Sequence, residues 1–169
     1  MTPVEPRRGL GFDPVEAAAQ QWSAHWQETP RMRAVTSLMR VHQLVLTELD
    51  ERLRPLGLTF ARYEVLVLLA FSRRGALPLG KIGQRLQVHA TSVTPLVKRL
   101  EAAELITRTR HPEDGRAVLA AITPRGREVM ERATETIVGA RFALGSLTED
   151  ECDQLTSLLV TPRAAAGDF

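Results

Sequence analysis

The sequence predicts a mainly α-helical chain with one small β-wing, and three observations carry that prediction. Apolar residues recur at helical spacing over most of the 169 residues. Proline, glycine and capping residues cut those stretches into discrete segments. Only two runs, 105–110 and 117–122, have the β-branched, extended character of strands, and they flank a Pro/Asp/Gly turn.

The composition allows a packed domain. Hydrophobic residues make up 44% and charged residues 25%, well mixed, which argues against global disorder. No apolar run approaches the roughly 20 residues of a membrane helix, and the N-terminus lacks a signal-peptide core, so a cytoplasmic chain without membrane association is expected. Cys152 is the only cysteine, and His25, His42, His89 and His111 are scattered. An intrachain disulfide and a cysteine zinc cluster are therefore excluded, and neither a metal nor another cofactor is expected.

Residues 1–12, with Pro3, Pro6, Gly9 and Gly11, read as a flexible tail. Asp13-Pro14 supplies a cap and a first-turn proline for a helix to about Gln27, with Val15, Ala18, Ala19, Trp22 and Trp26 at helical spacing; Pro30 interrupts it. A long helix follows over 31–54, where Val35, Met39, His42, Leu46, Leu49 and Leu53 form a heptad-like seam that Pro55 and Gly57 stop. Thr59 caps a mostly apolar helix ending at Arg73-Arg74-Gly75. A short helix carrying Leu79, Ile82 and Leu86, a turn at 87–89 plugged by Val88, and a helix over 90–103 come next. After the hairpin, Thr123-Pro124 opens a helix to about Leu144 with Val129, Met130, Ala133, Ile137 and Val138 on one stripe. Thr148-x-x-Glu151 is a capping box for a last helix that Pro162 closes.

Net charge is only +2, but residues 72–116 hold nine Lys/Arg against four Asp/Glu. A basic middle in an acidic frame suits a module that meets a polyanion, and equally a solvated basic face. Helix 90–103 separates the two. Val93, Leu96, Val97 and Leu100 build one apolar face. Thr91, Thr94, Pro95 and Lys98 repeat the spacing on another face, with Ser92 and Arg99 on its flanks. Small hydroxyls and cations let a helix approach a nucleic-acid groove, and its N-terminal dipole favours phosphate. The preceding helix would cross it as a helix-turn-helix, whereas a bundle would place a plain αα-hairpin here. The hairpin adds Arg108, Arg110, His111 and Arg116, with Asp114 placed to hold Arg116 extended toward a minor groove; a surface Asp–Arg pair is the plainer alternative.

Leu77–Met130 strongly resembles the winged helix-turn-helix of the MarR family of bacterial regulators, most specifically at Ser92–Glu101 (SVTPLVKRLE), Asp114-x-Arg116 and Ile122-Thr123-x-x-Gly126. The resemblance covers about 31–160. It implies a sequence-specific regulator of transcription, expected to repress, that binds double-stranded DNA as a homodimer on a near-palindromic operator. The DNA-binding residues it implies are Thr91, Ser92, Thr94, Pro95, Lys98, Arg99, Asp114 and Arg116. The expected organisation is a tail over 1–12, dimerisation helices over 13–55, the winged domain over 56–122, dimerisation helices over 123–162 and a tail over 163–169.

A small-molecule effector is the further partner the resemblance implies. Trp22, Trp26 and His42 are the candidate ligand-binding residues, against a competing and favoured reading as helix packing and a core histidine. Organic-peroxide sensors of the family carry their reactive cysteine in the first long helix, where this chain has none. Cys152 is therefore expected to be an inert, part-buried thiol. Gln87 and Glu104 depart from the family pattern, standing where turn-forming glycines are common. A left-handed Glu104 would cost about 1–2 kcal/mol. No nucleophile elbow, phosphate loop or zinc signature points to an enzyme.

Overall fold

The computed structural model describes residues 9–110 and 117–169. The N-terminal tail over 1–8 and the hairpin turn over 111–116, with Asp114 and Arg116, lie outside the described residues. The chain divides into two compact units, 1–46 and 47–169.

In the first unit, α1 spans Pro14–Ser23 and the Asp13 carboxylate accepts the Val15 N–H at 2.8 Å, as the Asp-Pro signal predicts. Val15 and Ala19 are buried. The helix stops at Ser23, short of the expected Gln27. The Trp22 carbonyl takes both the His25 and Trp26 N–H groups, and Trp22 Nε1 donates to the Gln27 carbonyl at 2.7 Å, folding the chain back. Helix α2 runs Thr29–Leu53, so Pro30 lies in its first turn, where no intrahelical N–H bond is needed, rather than between helices. Arg33 on α2 donates to Glu16 on α1. The seam splits along α2: Val35, Met39 and His42 are exposed, while Leu49 and Leu53, in the second unit, are buried. His42 is thus not a core histidine in this chain.

The second unit holds the core. A 3₁₀ turn at Arg54–Leu56 ends on left-handed Gly57, and Thr59 caps α3, Phe60–Ala70. Val65, Leu66 and Leu69 are fully buried, and Tyr63 shares a 3.0 Å hydrogen bond with Thr134 of α6, Pro124–Gly139. The hairpin pairs β2, Ile106–Arg110, with β3, Val118–Ile122, in the register Ile106↔Ile122 and Arg110↔Val118. An unforeseen third strand, β1 at Ala76–Pro78, pairs antiparallel with β3, giving the order β1-β3-β2. Three residues ending in proline carry no period-2 signal, and proline tolerates that edge position.

Helix α6 ends at Gly139, not near Leu144. Residues Arg141, Phe142 and Ala143 take positive φ values of 50°, 51° and 58°, which no continuing helix accommodates. Met130, Ala133 and Ile137 are buried, but Val138 faces out. The Thr148/Glu151 capping box opens α7, Glu149–Ala165. It passes through Pro162 rather than stopping there: Leu158 lies 73% exposed, so the carbonyl that loses its partner is on a wet helix. Beyond it, the Asp168 carboxylate accepts from Arg163 at 2.6 Å and from the Gln87 side chain at 2.5 Å.

Candidate nucleic-acid interface

Two helices and a tight turn form the centre of the second unit. Helix α4 covers Leu79–Leu86, and α5 covers Ala90–Ala102. Ile82 is fully buried and Leu86 half-buried. Val88, expected to plug the turn, is instead 36% exposed. The close approach is made by Gly83, where a Cβ would lie 3.2 Å from both the Val88 carbonyl oxygen and Val93 Cγ2. The missing side chain does the work expected of the valine.

Both helices end in the same way. Gln87 adopts φ 54°, ψ 33°, and the Val88 N–H bonds back to the Gly83 carbonyl at 3.1 Å. Glu104 adopts φ 59°; its N–H reaches the Glu101 carbonyl at 2.9 Å and the Leu105 N–H reaches Leu100 at 3.0 Å. These are Schellman closures with a side chain where glycine is usual, each at a cost of about 1–2 kcal/mol. At Glu104 neighbours offset that cost: Thr123 Oγ1 donates to its carbonyl at 2.9 Å, and Arg125 pairs with its carboxylate at 2.8 Å.

Helix α5 divides as its sequence pattern predicts. Val93, Val97 and Leu100 are buried and Leu96 is half-buried. Thr91, Ser92, Thr94, Pro95, Lys98 and Arg99 are all exposed. His89 caps the helix: its Nδ1 accepts the Thr91 N–H at 3.3 Å and shares a 2.8 Å hydrogen bond with the Thr91 hydroxyl. Sequence reasoning missed that cap because histidine is not among the residues that usually provide one.

The electrostatics near α5 are uneven. Arg108 of β2 donates through Nε to Glu101 at 2.7 Å, tying the wing to the end of α5 and holding the Glu101 carboxyl below the usual carboxylate range. Arg108 is thereby engaged within the domain. Arg62, on α3, was not singled out by the sequence. Its guanidinium is held by the Gly57 carbonyl at 2.8 Å and lies below the ordinary arginine value, first through burial and then through the Arg99 charge. Arg62 and Arg99 thus bring like charge together beside α5, while the Asp50 carboxylate partly offsets it at Arg62.

The remaining candidates lie elsewhere. The rings of Trp22 and Trp26 lie 6.2 Å apart at a tilt of 42° in the first unit, and both are exposed, as is His42. Cys152 is a free thiol of intermediate exposure. No helix among the described residues is long and apolar enough to cross a membrane.

The MarR family model matches residues 58–118, from just before α3 into the start of β3. The organic hydroperoxide resistance transcriptional regulator of Bacillus subtilis (strain 168) is 33% identical over 118 residues, 68% of this chain and 78% of the relative. Sco5413, a MarR family transcriptional regulator from Streptomyces coelicolor, is 48% identical in structural alignment with a TM-score of 0.77, covering 83% of this chain and 97% of that one. Mutant MarR from E. coli, solved in complex with operator DNA, is 26% identical with a TM-score of 0.67 over 75% of this chain and 90% of that one.

Proposed function

The chain belongs to the MarR family of transcriptional regulators, not enzymes, and on that premise we propose that it is a cytoplasmic repressor binding near-palindromic double-stranded DNA as a homodimer. The observation that carries this reading is the division of α5. Its buried Val93, Val97 and Leu100 anchor the helix, leaving Thr91, Ser92, Thr94, Pro95, Lys98 and Arg99 free to enter a major groove. Arg116, oriented by Asp114, reaches the adjacent minor groove from the wing.

The homodimer reading is supported by α2 and α7, which expose Val35, Met39 and Leu158. Apolar side chains spaced along helices in this way suit a partner surface. Residues 13–55 and 123–162 form that dimer, and 56–122 read DNA. Repression follows because a dimer seated across a promoter excludes polymerase. A small-molecule effector releases it, with Trp22, Trp26 and His42 available to meet that ligand or the partner subunit.

Binding of the full chain to the region upstream of its own operon, at several salt concentrations, tests the reading. Affinity falls steeply with salt and the footprint is a near-palindrome. Arg116→Ala weakens binding by about 1–3 kcal/mol, whereas Lys98→Ala lowers it evenly across sequences and flattens the salt slope. Unchanged affinity in a folded Arg116→Ala dimer would remove the wing from the interface.

A further inference from the structure

The second unit also carries a cleft of about 660 Å³, to which α5 contributes no lining residue. Its walls come from the loop after α3, from β1, α4 and β3. Four cations line it, Arg73 and Arg74 from the loop and Lys81 and Arg85 from α4. None has a carboxylate partner among the described residues. Of the acids that follow in sequence, Glu101 is engaged with Arg108 and Glu104 with Arg125, and Glu64 on α3 does not line the cleft. Apolar residues line it as well, Ala76, Leu77 and Pro78 from β1 and Leu119 from β3.

Phe71 stands at the rim and is 82% exposed, more than any other large apolar side chain described. Its ring offers a stacking surface that no side chain of the domain covers. The loop that presents it is pinned. Ser72 Oγ donates to the Leu69 carbonyl at 2.7 Å, the Gly75 N–H to Ser72 at 3.0 Å, and the Ile122 N–H of β3 to Gly75 at 2.9 Å. The cations of the loop are therefore carried on an ordered backbone, which lowers the cost of gathering them around a ligand.

Shape decides between two kinds of anion. A DNA backbone is met by cations on an open surface, and it leaves an apolar recess unfilled. A concave, largely apolar site of this size with a few convergent charges suits a small organic molecule. Arginine forks match the oxygens of a phosphate in particular. We propose that this cleft is a binding site for a small organic phosphate with an aromatic body, its ring against Phe71 and its phosphate among Arg73, Arg74, Lys81 and Arg85. The site does not depend on how α5 reads DNA.

Phenyl phosphate, titrated into the full-length protein at constant ionic strength and followed by calorimetry, tests the proposal without DNA present. Saturable binding of one molecule per chain is expected. Lys81→Gln combined with Arg85→Gln weakens it at least about tenfold, and inorganic phosphate, lacking the ring, binds at least about tenfold more weakly. Phe71→Ser, at an exposed position that leaves the fold intact, removes the preference for phenyl phosphate over inorganic phosphate. Absence of saturable binding, or equal binding by the folded Lys81→Gln/Arg85→Gln variant, overturns the site. Loss of DNA affinity in that variant without phenyl phosphate binding to the wild type also overturns it, assigning the four cations to the DNA backbone.

Discussion

Glu64 is half-buried on α3, and burial pushes its carboxyl above the usual carboxylate range. An acid with a raised pKa holds its proton more tightly when folded than when unfolded, so its ionisation opposes folding. Its contribution turns unfavourable as pH rises from the ordinary carboxylate range through the raised value. Glu64→Gln is therefore expected to raise the melting temperature at neutral pH, and the gain should shrink toward about pH 4. Thermal melts of both proteins across that range check it; a gain independent of pH would show that packing, not charge, is responsible. Glu101 has the opposite sign. Arg108 lowers its pKa, so that contribution is present at neutral pH and is lost as pH falls. Neither shift was legible in the sequence, because each depends on groups brought together by tertiary folding. The outer face of α5 was legible, because helical periodicity alone separates Thr91, Thr94 and Lys98 from Val93, Val97 and Leu100.

Four helices start at the caps the sequence shows, and helix ends are decided by their surroundings. Asp13, Thr59, Thr123 and Thr148 each cap the helix that follows, through side chains acting on the next few residues. Helix ends were read less well: α1 and α6 stop early and α7 outruns Pro162. Those ends depend on backbone bonds that carry no distinctive residue type. The Ile122-Thr123-x-x-Gly126 motif shows both sides. Thr123 Oγ1 accepts the Gly126 N–H at 2.9 Å, a local cap, while a Cβ on Gly126 would lie 2.0 Å from the Leu105 carbonyl oxygen. Helix α6 can seat against the turn between α5 and β2 only if that Cβ is absent. Gly126→Ala is expected to destabilise the protein by about 1–3 kcal/mol through overpacking, although alanine in an open helix would stabilise by about 1 kcal/mol. Denaturant midpoints decide by sign.

For the whole molecule, the exposed apolar residues of α2 and α7 carry the expectation of a dimer. Val35 is 61% exposed and Leu158 73% exposed in a single chain. Sedimentation of the wild type should give a dimer, and the Met39→Glu/Leu158→Glu variant a folded monomer. Losing simultaneous engagement of two half-sites should lower affinity for the full operator at least about a hundredfold. A dimeric double variant would place the interface on other surfaces.

The sequence by itself determined the mainly α architecture, the order of the helices around one hairpin, the caps at Asp13, Thr59, Thr123 and Thr148, and the two faces of α5. All are local or periodic properties, set by residues a few positions apart. Only the tertiary structure decided that β1 joins the sheet, that Gly83 rather than Val88 closes the turn, that Gln87 and Glu104 accept left-handed backbone, and that Arg73, Arg74, Lys81 and Arg85 line one cleft with Phe71 at its rim. Those features arise between segments distant along the chain. Their energies belong to packing and to the charges of neighbours, and no spacing within a single segment encodes them.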